Sequence, residues 1–260
     1  MPASAADAVV RARLDWDAMH RRYFPDYDRR WQLVIDRVRA HAPADCRVLD
    51  AGCGPGTLTA RLGAAFPGAS VVGVEADPML IGLARAASGG ERYLHATLGT
   101  PAGEAQCAGL GPYDAVVSSA FVHYFAPAEL AELLRGHRRV LAPYGVLITA
   151  ERFAPAVLRH RRRGGRPGPG PWRQWWTAAR ADPAVAALAG AAPAFAPPRT
   201  TPPPLRLRQF IAALRRAGYR QVSVAAAGGG SLVVTAHRGP LTRRARPSRR
   251  RWWCRRRVRS

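Results

Sequence analysis

Lysine is absent from this chain of 260 residues, and all 40 of its basic side chains are arginines. Only four cysteines occur, at Cys46, Cys53, Cys107 and Cys254, without CxxC or Cys/His spacing, so we expect neither a disulfide framework nor a metal site. No apolar run reaches the roughly 18 residues of a membrane-spanning helix, and the N-terminus lacks the apolar segment of a signal peptide. A cytoplasmic protein is therefore expected.

Acidic residues are missing from the last third of the chain, where none follows Asp182. Residues 1–150 hold 15 arginines and 15 acidic residues, whereas residues 151–260 hold 25 arginines and two acidic residues. The formal net charge of +23 therefore belongs entirely to the second part. Such an excess favours polyanionic partners. The absence of lysine and the abundance of alanine, glycine and proline also indicate a coding bias, which accounts for some of the arginine.

Strands and helices alternate over the first 150 residues. Short apolar runs predict five strands, in CRVLDAG, SVVGVEA, RYLHATL, YDAVVSSAF and YGVLITAERF. Helical spacing predicts intervening helices in TLTARLGAAF, DPMLIGLARAA and PAELAELLRGHRRVLAP. Continuous apolar strands that alternate with helices are typical of a parallel sheet covered on both faces. We therefore predict an α/β fold with a doubly wound sheet.

Composition divides the chain into five segments. Residues 1–45 are predicted to form an N-terminal helical region, and residues 46–150 the α/β core. Residues 151–204 contain 11 of the 23 prolines and the stretch PWRQWWTAAR, and are expected to form a cap or linker after the fifth strand. Residues 205–238 predict a helix and a β-hairpin that close the core. Residues 239–260 form a basic tail without a core-forming pattern.

The most informative stretch is RVLDAGCGPGTLTARLG, residues 47–63. Its glycines Gly52, Gly54 and Gly56 lie between a strand and a helix, where backbone N–H groups and the helix dipole meet a ligand. The dinucleotide fingerprint needs a third glycine where Thr57 stands, and the GK[ST] of a phosphate-binding P-loop is absent. What remains is an acidic strand end, Asp50, followed by GxGxG.

VLDAGCGPG resembles the first motif of the class I S-adenosylmethionine-dependent methyltransferases. Four further segments are similar to that family in the same order: VVGVEADPMLIGLAR, YDAVVSSAFVHYF, RRVLAPYGVLITAERF, and the closing LRQFIAALRRAGYRQVSV with SLVVTAHR. The resemblance implies a seven-stranded mixed sheet, mostly parallel with the last strand antiparallel, flanked by helices and carrying a helical cap insert after strand five. It also implies S-adenosyl-L-methionine as the methyl donor.

The resemblance further implies which residues hold the donor. Asp50 and the loop from Gly52 to Gly56 would bind its methionine end, Glu75 its ribose hydroxyls, and Ala76 its adenine. A carboxylate suits the ribose because it can accept two hydrogen bonds side by side. The family often has an acid after the third strand, where this chain has HATLGT. The full expected donor site is Asp50, Gly52, Gly54, Gly56, Glu75, Ala76, Thr97, Leu98 and Ser118.

His123, in the AFVHYF that follows the fourth strand, is the candidate general base, because an imidazole titrates near neutral pH. The alternative is a histidine that only lines the pocket. Tyr23 and Tyr124 are candidates for the pocket wall. Trp172, Trp175 and Trp176 fall on one helical face and either cover the acceptor or pack the helix onto the domain.

The acceptor is left open by the sequence. A small molecule is favoured, because the place after the fourth strand reads SSAF where amino-methylating DNA enzymes carry [DNS]PP[YF], and no Pro-Cys nucleophile exists. The alternatives are an RNA or protein substrate, a nucleic-acid-binding protein that uses the arginine-rich C-terminal region, and a non-catalytic donor-binding protein. The tail interleaves arginines with Trp252 and Trp253, which suits phosphates and bases. The oligomeric state is not indicated.

Overall fold

The computed structural model describes residues 4–88, 92–154, 170–190, 205–228 and 230–239. Within these ranges, seven strands form one sheet in the order β3-β2-β1-β4-β5-β7-β6. The strands are β1 (Arg47–Ala51), β2 (Ser70–Glu75), β3 (Tyr93–His95), β4 (Tyr113–Ser119), β5 (Leu141–Glu151), β6 (Arg220–Gly228) and β7 (Ser231–His237).

The strand directions match the prediction. β3, β2, β1, β4 and β5 pair in parallel, and β7 pairs antiparallel with both β5 and β6. β6 therefore runs in the same direction as the first five strands, and only the last strand is reversed. The predicted mixed, doubly wound α/β sheet is confirmed. Because the parallel strands share one direction, their carboxyl ends meet at a single edge of the sheet.

Helices cover both faces of the sheet. They are α1 (Ala5–Tyr23), α2 (Tyr27–His41), α3 (Thr57–Ala65), α4 (Pro78–Ala86), α5 (Pro101–Gly109), α6 (Pro127–Val140), α7 (Gly170–Ala181), α8 (Pro183–Ala187) and α9 (Leu207–Arg216), with a short 3₁₀ turn at Val122–Tyr124. None of the described helices combines the length and the apolar character that crossing a bilayer requires.

The predicted N-terminal helical region consists of two helices, because Phe24, Pro25 and Asp26 separate α1 from α2. α5, between β3 and β4, was not predicted. Its start carries a clear signal: the hydroxyl of Thr100 accepts the Gly103 N–H, and a proline follows at the first helical position. Its alanines and glycines give no apolar stripe, so periodicity could not reveal it.

Apolar side chains form a separate core on each face of the sheet. α2 and α3 pack on one face against β1, β4 and β5, with Trp31 and Val34 among the buried residues. α6 and α9 pack on the other face, around Leu134 and Phe210. A third apolar cluster joins α1, α4, α7 and α8 away from the sheet. This third cluster holds the helical part of the segment that follows strand five.

The segment after strand five is helical where the structure describes it. α7 and α8 pack against α1 and α4. The buried ring of Trp175, on α7, belongs to the apolar cluster that these four helices share. Of the predicted cap at 151–204, residues 155–169 and 191–204 lie outside the described residues, as do residues 240–260 of the predicted basic tail. These helices are connected to the glycine loop through α1, whose Trp16 ring lies 3.5 Å from the position that a Cβ on Gly54 would occupy.

Candidate donor and acceptor site at the carboxyl edge of the sheet

The glycine loop connects β1 to α3 and relies on conformations that other residues rarely adopt. Gly52, Gly54 and Gly56 have φ angles of 72°, 56° and 82°. A Cβ at Gly52 would overlap the ring of Phe121, which follows β4. Glycine is therefore required here both by the backbone and by the close approach of an aromatic ring. The loop and the segment after β4 form one continuous wall.

α1 lies directly over the glycine loop. The Trp16 ring comes within 3.5 Å of the position that a Cβ on Gly54 would occupy. The Thr57 hydroxyl donates to Asp17 at 3.0 Å, and the Tyr27 hydroxyl donates to the same carboxylate oxygen at 2.6 Å. Gly54 is buried as a result. No short segment reveals this cover, because it depends on contacts about 40 residues apart.

Asp50 is the penultimate residue of β1, and its carboxyl group is almost fully enclosed. The residue is 1% exposed and accepts a hydrogen bond of 2.7 Å from the Thr59 hydroxyl. Burial raises the pKa of Asp50 to about 7; the nearby charge of Glu75 acts in the same direction, and the Thr59 bond opposes it. The carboxyl group therefore changes charge close to neutral pH. A positively charged neighbour would favour the ionised form.

Glu75 ends β2 and is held by three backbone N–H groups. One of its oxygens accepts from Gly54 at 3.0 Å, and the other accepts from Ala76 at 2.8 Å and from Asp77 at 3.0 Å. Burial nevertheless raises its pKa. The residue is half-buried, so part of it faces solvent at the edge of the loop. The Gly54 bond fixes the carboxylate beside the glycine loop.

The arrangement fits S-adenosylmethionine. Asp50 and Glu75 place two acidic groups near the ends of adjacent strands, and the charge of Glu75 opposes the ionisation of Asp50. A ligand that carries an ammonium and a sulfonium would relieve this repulsion. The glycines of the loop lack the side chains that would keep a ligand away from the backbone, and an acid at the end of β2 is suited to ribose hydroxyls. A donor site at this edge of the sheet stays a prediction.

The other predicted donor contacts lie in different surroundings. Ala76 is half-buried beside Glu75, and Thr97 is exposed. Leu98 is buried within the apolar core under α6. Ser118 is fully buried in β4, and its hydroxyl donates to Thr149 of β5 at 3.2 Å. Its side chain therefore has a partner inside the sheet, whereas Ala76 and Thr97 lie near the strand ends. A donor role for these four residues stays a prediction.

His123 pairs with a buried acid. Its Nδ1 lies 3.0 Å from Oε2 of Glu151, which ends β5 and is 1% exposed. Burial raises the pKa of Glu151, but the His123 charge and hydrogen bond together with the Arg152 N–H outweigh burial, so the net shift is downward. An ionised Glu151 assigns the proton of a neutral imidazole to Nδ1, so Nε2 carries the lone pair. Sequence reasoning missed Glu151.

A buried arginine stands behind the His123–Glu151 pair. Arg30 of α2 is 1% exposed, and its guanidinium carbon lies 4.0 Å above the ring of Phe24. Burial lowers the pKa of Arg30, while the charges of Glu151 and Asp26 oppose this. Arg152 donates to the Tyr23 backbone carbonyl at 2.9 Å. Arg30 and Arg152 thus surround the buried Glu151 carboxylate with positive charge. Tyr23 is tied to the same corner of the site.

The three predicted tryptophans do not share one role. The Trp175 indole N–H donates to the Ala12 carbonyl at 3.0 Å, and the ring is 7% exposed, so this residue packs α7 onto α1. Trp172 and Trp176 are half-buried, and their ring centroids lie 5.2 and 6.3 Å from Trp16. Tyr124 is 39% exposed, with its ring centroid 4.2 Å from His123.

His20 joins this aromatic cluster and was not predicted. Its Nδ1 lies 3.0 Å from the Trp16 carbonyl, which fixes that nitrogen as the donor. Burial lowers the pKa of His20 to about 4, so the ring is neutral at physiological pH. Its ring centroid is 5.7 Å from that of Trp172. The wall between the cap helices and the glycine loop is thus aromatic, with one neutral imidazole.

The cysteines of the described part of the chain lie in buried surroundings. No group of three or more potential ligands among the described residues could hold a metal ion. Cys46, Cys53 and Cys107 are free and buried. Burial raises the pKa of the Cys53 thiol in the glycine loop well above its ordinary value, which leaves it a poor nucleophile.

Comparison with known proteins agrees with this geometry. A family described as "Methyltransferase domain" matches residues 49–147. Trans-aconitate 2-methyltransferase of Methylobacterium radiotolerans is 32% identical over 68% of this chain and 63% of its own length. The enzyme of the same name from Methylobacterium nodulans is 33% identical over 51% of this chain and 48% of its own length. The chain thus spans less than two thirds of these relatives.

Solved structures show the same fold at low sequence identity. Human N-acetylserotonin methyltransferase, solved with S-adenosylmethionine, superposes with a TM-score of 0.53 at 15% identity over 83% of this chain and 57% of its own. This likeness concerns the fold alone. The matched family, the strand order and the ordered motifs agree, and on these grounds the chain contains a class I S-adenosylmethionine-dependent methyltransferase domain.

Proposed function

We propose that this protein transfers a methyl group from S-adenosylmethionine to the oxygen of a small-molecule acceptor, with His123 as the general base. The observation that carries the proposal is the 3.0 Å pair between His123 and the buried Glu151 at the edge that also holds the glycine loop. The relatives named for trans-aconitate methylation support a small-molecule acceptor. The small, largely aromatic wall of the described cap supports it too.

The donor supplies an electrophilic methyl group on a sulfonium, so the protein has mainly to align the acceptor and handle one proton. Asp50, the glycine loop and Glu75 would hold the donor. Nε2 of His123 takes the acceptor hydroxyl proton as the new carbon–oxygen bond forms. The Glu151 carboxylate then stabilises the imidazolium through its bond to Nδ1. A buried anion suits this role because water screens it little.

An ionised carboxylate acceptor would need no base, and this distinguishes two kinds of substrate. For a hydroxyl acceptor, activity should depend steeply on His123 and on pH. For an acceptor such as trans-aconitate, which is the substrate named for the relatives, activity should depend little on either. The buried acid behind the imidazole favours the hydroxyl.

The test has two stages. Calorimetric titration of the full chain with S-adenosylmethionine and with its demethylated product measures donor binding. Methyl transfer is then measured against a panel of hydroxylated and carboxylated small molecules. His123→Gln should retain donor binding and lose at least about 100-fold in turnover, within the range for general bases. His41→Gln, at the opposite edge of the sheet, is the matched control. Full activity in His123→Gln would remove the base from the mechanism.

A further inference from the structure

His20 lies in the middle of a row of rings along one side of α1. Trp16, His20 and Phe24 follow one another at intervals of four residues, which places them on the same face of the helix and its C-terminal end. The His20 ring centroid lies 4.5 Å from that of Trp16 and 6.1 Å from that of Phe24, whose ring is inclined to it by only 10°. No step of the proposed reaction uses His20.

The helix backbone fixes which nitrogen of His20 carries the proton. Nδ1 lies 3.0 Å from the Trp16 carbonyl oxygen, so in a neutral ring Nδ1 holds the proton and Nε2 holds the lone pair. Burial lowers the pKa of His20 to about 4, and the Trp16 bond opposes this shift. The charges of Arg30 and His123 lower the pKa further. The ring is therefore neutral at physiological pH, and Nε2 can only accept a hydrogen bond.

Nε2 of His20 is accessible to a ligand. No described residue forms a hydrogen bond with this atom, and it is not one of the enclosed polar atoms that lack a partner. His137, on α6, shows the contrast, because both of its ring nitrogens are enclosed without a partner among the described residues. His20 therefore differs from a histidine that only fills a core, since one of its polar atoms is open to an incoming group.

His20 belongs to the same part of the molecule as the His123–Glu151 pair. The row of rings continues from His20 to Phe24, and the Arg30 guanidinium carbon lies 4.0 Å above the Phe24 ring. The charge of Arg30 acts on Glu151, which binds His123. The charge of His123 acts directly on His20 as well. The two imidazoles are thus neighbours, one held by a buried acid and the other by a backbone carbonyl.

Two further aromatic rings surround His20. The ring centroids of Tyr27 and Trp172 lie 6.2 and 5.7 Å from that of His20. His20 and Trp172 are both half-buried, so this wall is partly open. Flat rings around a single acceptor atom favour a flat apolar ligand that carries one hydrogen-bond donor. A carboxylate is disfavoured beside Nε2, because two acceptors would meet with no proton between them.

We infer that His20 selects an aromatic acceptor with two hydroxyl groups, of which one is methylated at His123 and the other donates to Nε2 of His20. The inference rests on the proposed function: the methyl group passes from the donor sulfur to the first hydroxyl oxygen, and the proton of that hydroxyl goes to His123. His20 takes no proton and is a specificity-determining residue. A site that is built to bind a hydroxyl discriminates against the analogue that lacks it, because the polar atom of the site then loses its partner.

The test compares naphthalenediols with the naphthol that lacks the second hydroxyl. One diol has adjacent hydroxyls and the other has them on opposite rings, so that two spacings are covered. Calorimetry measures their binding to the full chain saturated with the demethylated donor, S-adenosylhomocysteine, and methyl transfer from S-adenosylmethionine gives kcat/KM. The wild type should prefer at least one diol by about 5- to 150-fold, the effect of leaving a buried hydrogen-bonding group without a partner.

His20→Phe keeps a flat ring and removes Nε2. It should lower the affinity for the diol to that for the naphthol, while the affinities for the naphthol and for the donor stay unchanged. His20→Gln, whose amide oxygen can accept a hydrogen bond, should restore part of the preference. His41→Phe is the matched control, because it makes the same exchange at a half-buried position at the opposite edge of the sheet. It should keep the full preference for the diol.

A wild type that binds neither diol more tightly than the naphthol would overturn the inference, and so would an unaltered preference in His20→Phe. The corresponding hydroxynaphthoates test an anionic acceptor. If they bind more tightly than the diols and His20→Phe leaves their binding unchanged, the site selects a carboxylate and the assignment is wrong. Failure of the proposed function gives a different result: His123→Gln would retain full methyl transfer, while the binding preference that depends on His20 would still be measurable.

Discussion

Replacing Asp50 with asparagine should make the protein more stable at high pH and less able to bind the donor. The carboxyl is buried, and burial raises its pKa from 3.8 to about 7. The folded state therefore disfavours the ionised form. This leaves the free energy of unfolding nearly unchanged below pH 4 and lowers it by the full amount above pH 7. At about 1.36 kcal/mol per pKa unit, the full cost is about 4 kcal/mol. Asparagine removes it.

The assay is urea unfolding of the wild type and of Asp50→Asn, measured without donor at several pH values. The variant still accepts from the Thr59 hydroxyl, and its new amide N–H groups add an offset that does not change with pH. The predicted quantity is therefore the change in the stability difference between the two proteins. It should grow by about 4 kcal/mol in favour of the variant between pH 4 and pH 8. Asp45→Asn, at an exposed position, is the control.

Donor binding gives the complementary signal. A cationic donor favours ionised Asp50, so binding near pH 6 should release close to one proton, and the release should vanish above pH 8. Calorimetry in buffers of different ionisation enthalpy measures it. Asp50→Asn should abolish the release and weaken donor binding about tenfold or more. A stability difference that stays flat from pH 4 to pH 8 would refute the reasoning, since it would mean that the carboxyl ionises as it does in water.

Three further predictions concern the loop, the dyad and the cap. Gly52→Ala should destabilise the fold by about 1–3 kcal/mol and weaken donor binding, because the new Cβ meets the Phe121 ring at a positive φ; chemical denaturation and calorimetry measure both. Glu151→Gln should lower turnover about 10- to 100-fold at unchanged donor affinity and move the acidic limb of the pH–rate profile, whereas an unmoved profile would limit Glu151 to a structural role. Trp175→Phe should cost about 1–2 kcal/mol in thermal unfolding through the lost bond to Ala12, and Trp176→Phe much less.

The sheet and the donor edge could be predicted because their signals are local. Apolar runs, glycine spacing and acidic strand ends are properties of short segments, and Asp50 and Glu75 each follow directly from the strand that carries them. Asp77 and Pro78 likewise predict the start of α4. In the structure, the Asp77 carboxylate accepts the Met79 and Leu80 N–H groups. Such features need no knowledge of the partner segment.

The acceptor side depends on pairs that no short segment reveals. His123 and Glu151 are 28 residues apart, and only the pairing of β4 with β5 brings them to one edge. Glu151 stood in a segment already identified as strand five. An acid at the carboxyl end of a buried strand was therefore the available signal. No sequence signal marks the burial of Arg30, since an arginine within an amphipathic helix is ordinarily exposed.

Trp16 contacts both the tryptophan-rich cap and the glycine loop. Trp16 contacts Trp175 at a ring distance of 4.7 Å and lies 3.5 Å from the Cβ position of Gly54. A change at Trp172 or Trp175 therefore alters the cover of the glycine loop together with the aromatic wall that is proposed to face the acceptor. Tryptophan variants will then move donor and acceptor affinity together. Variants of the His123–Glu151 pair instead test the proposed proton transfer.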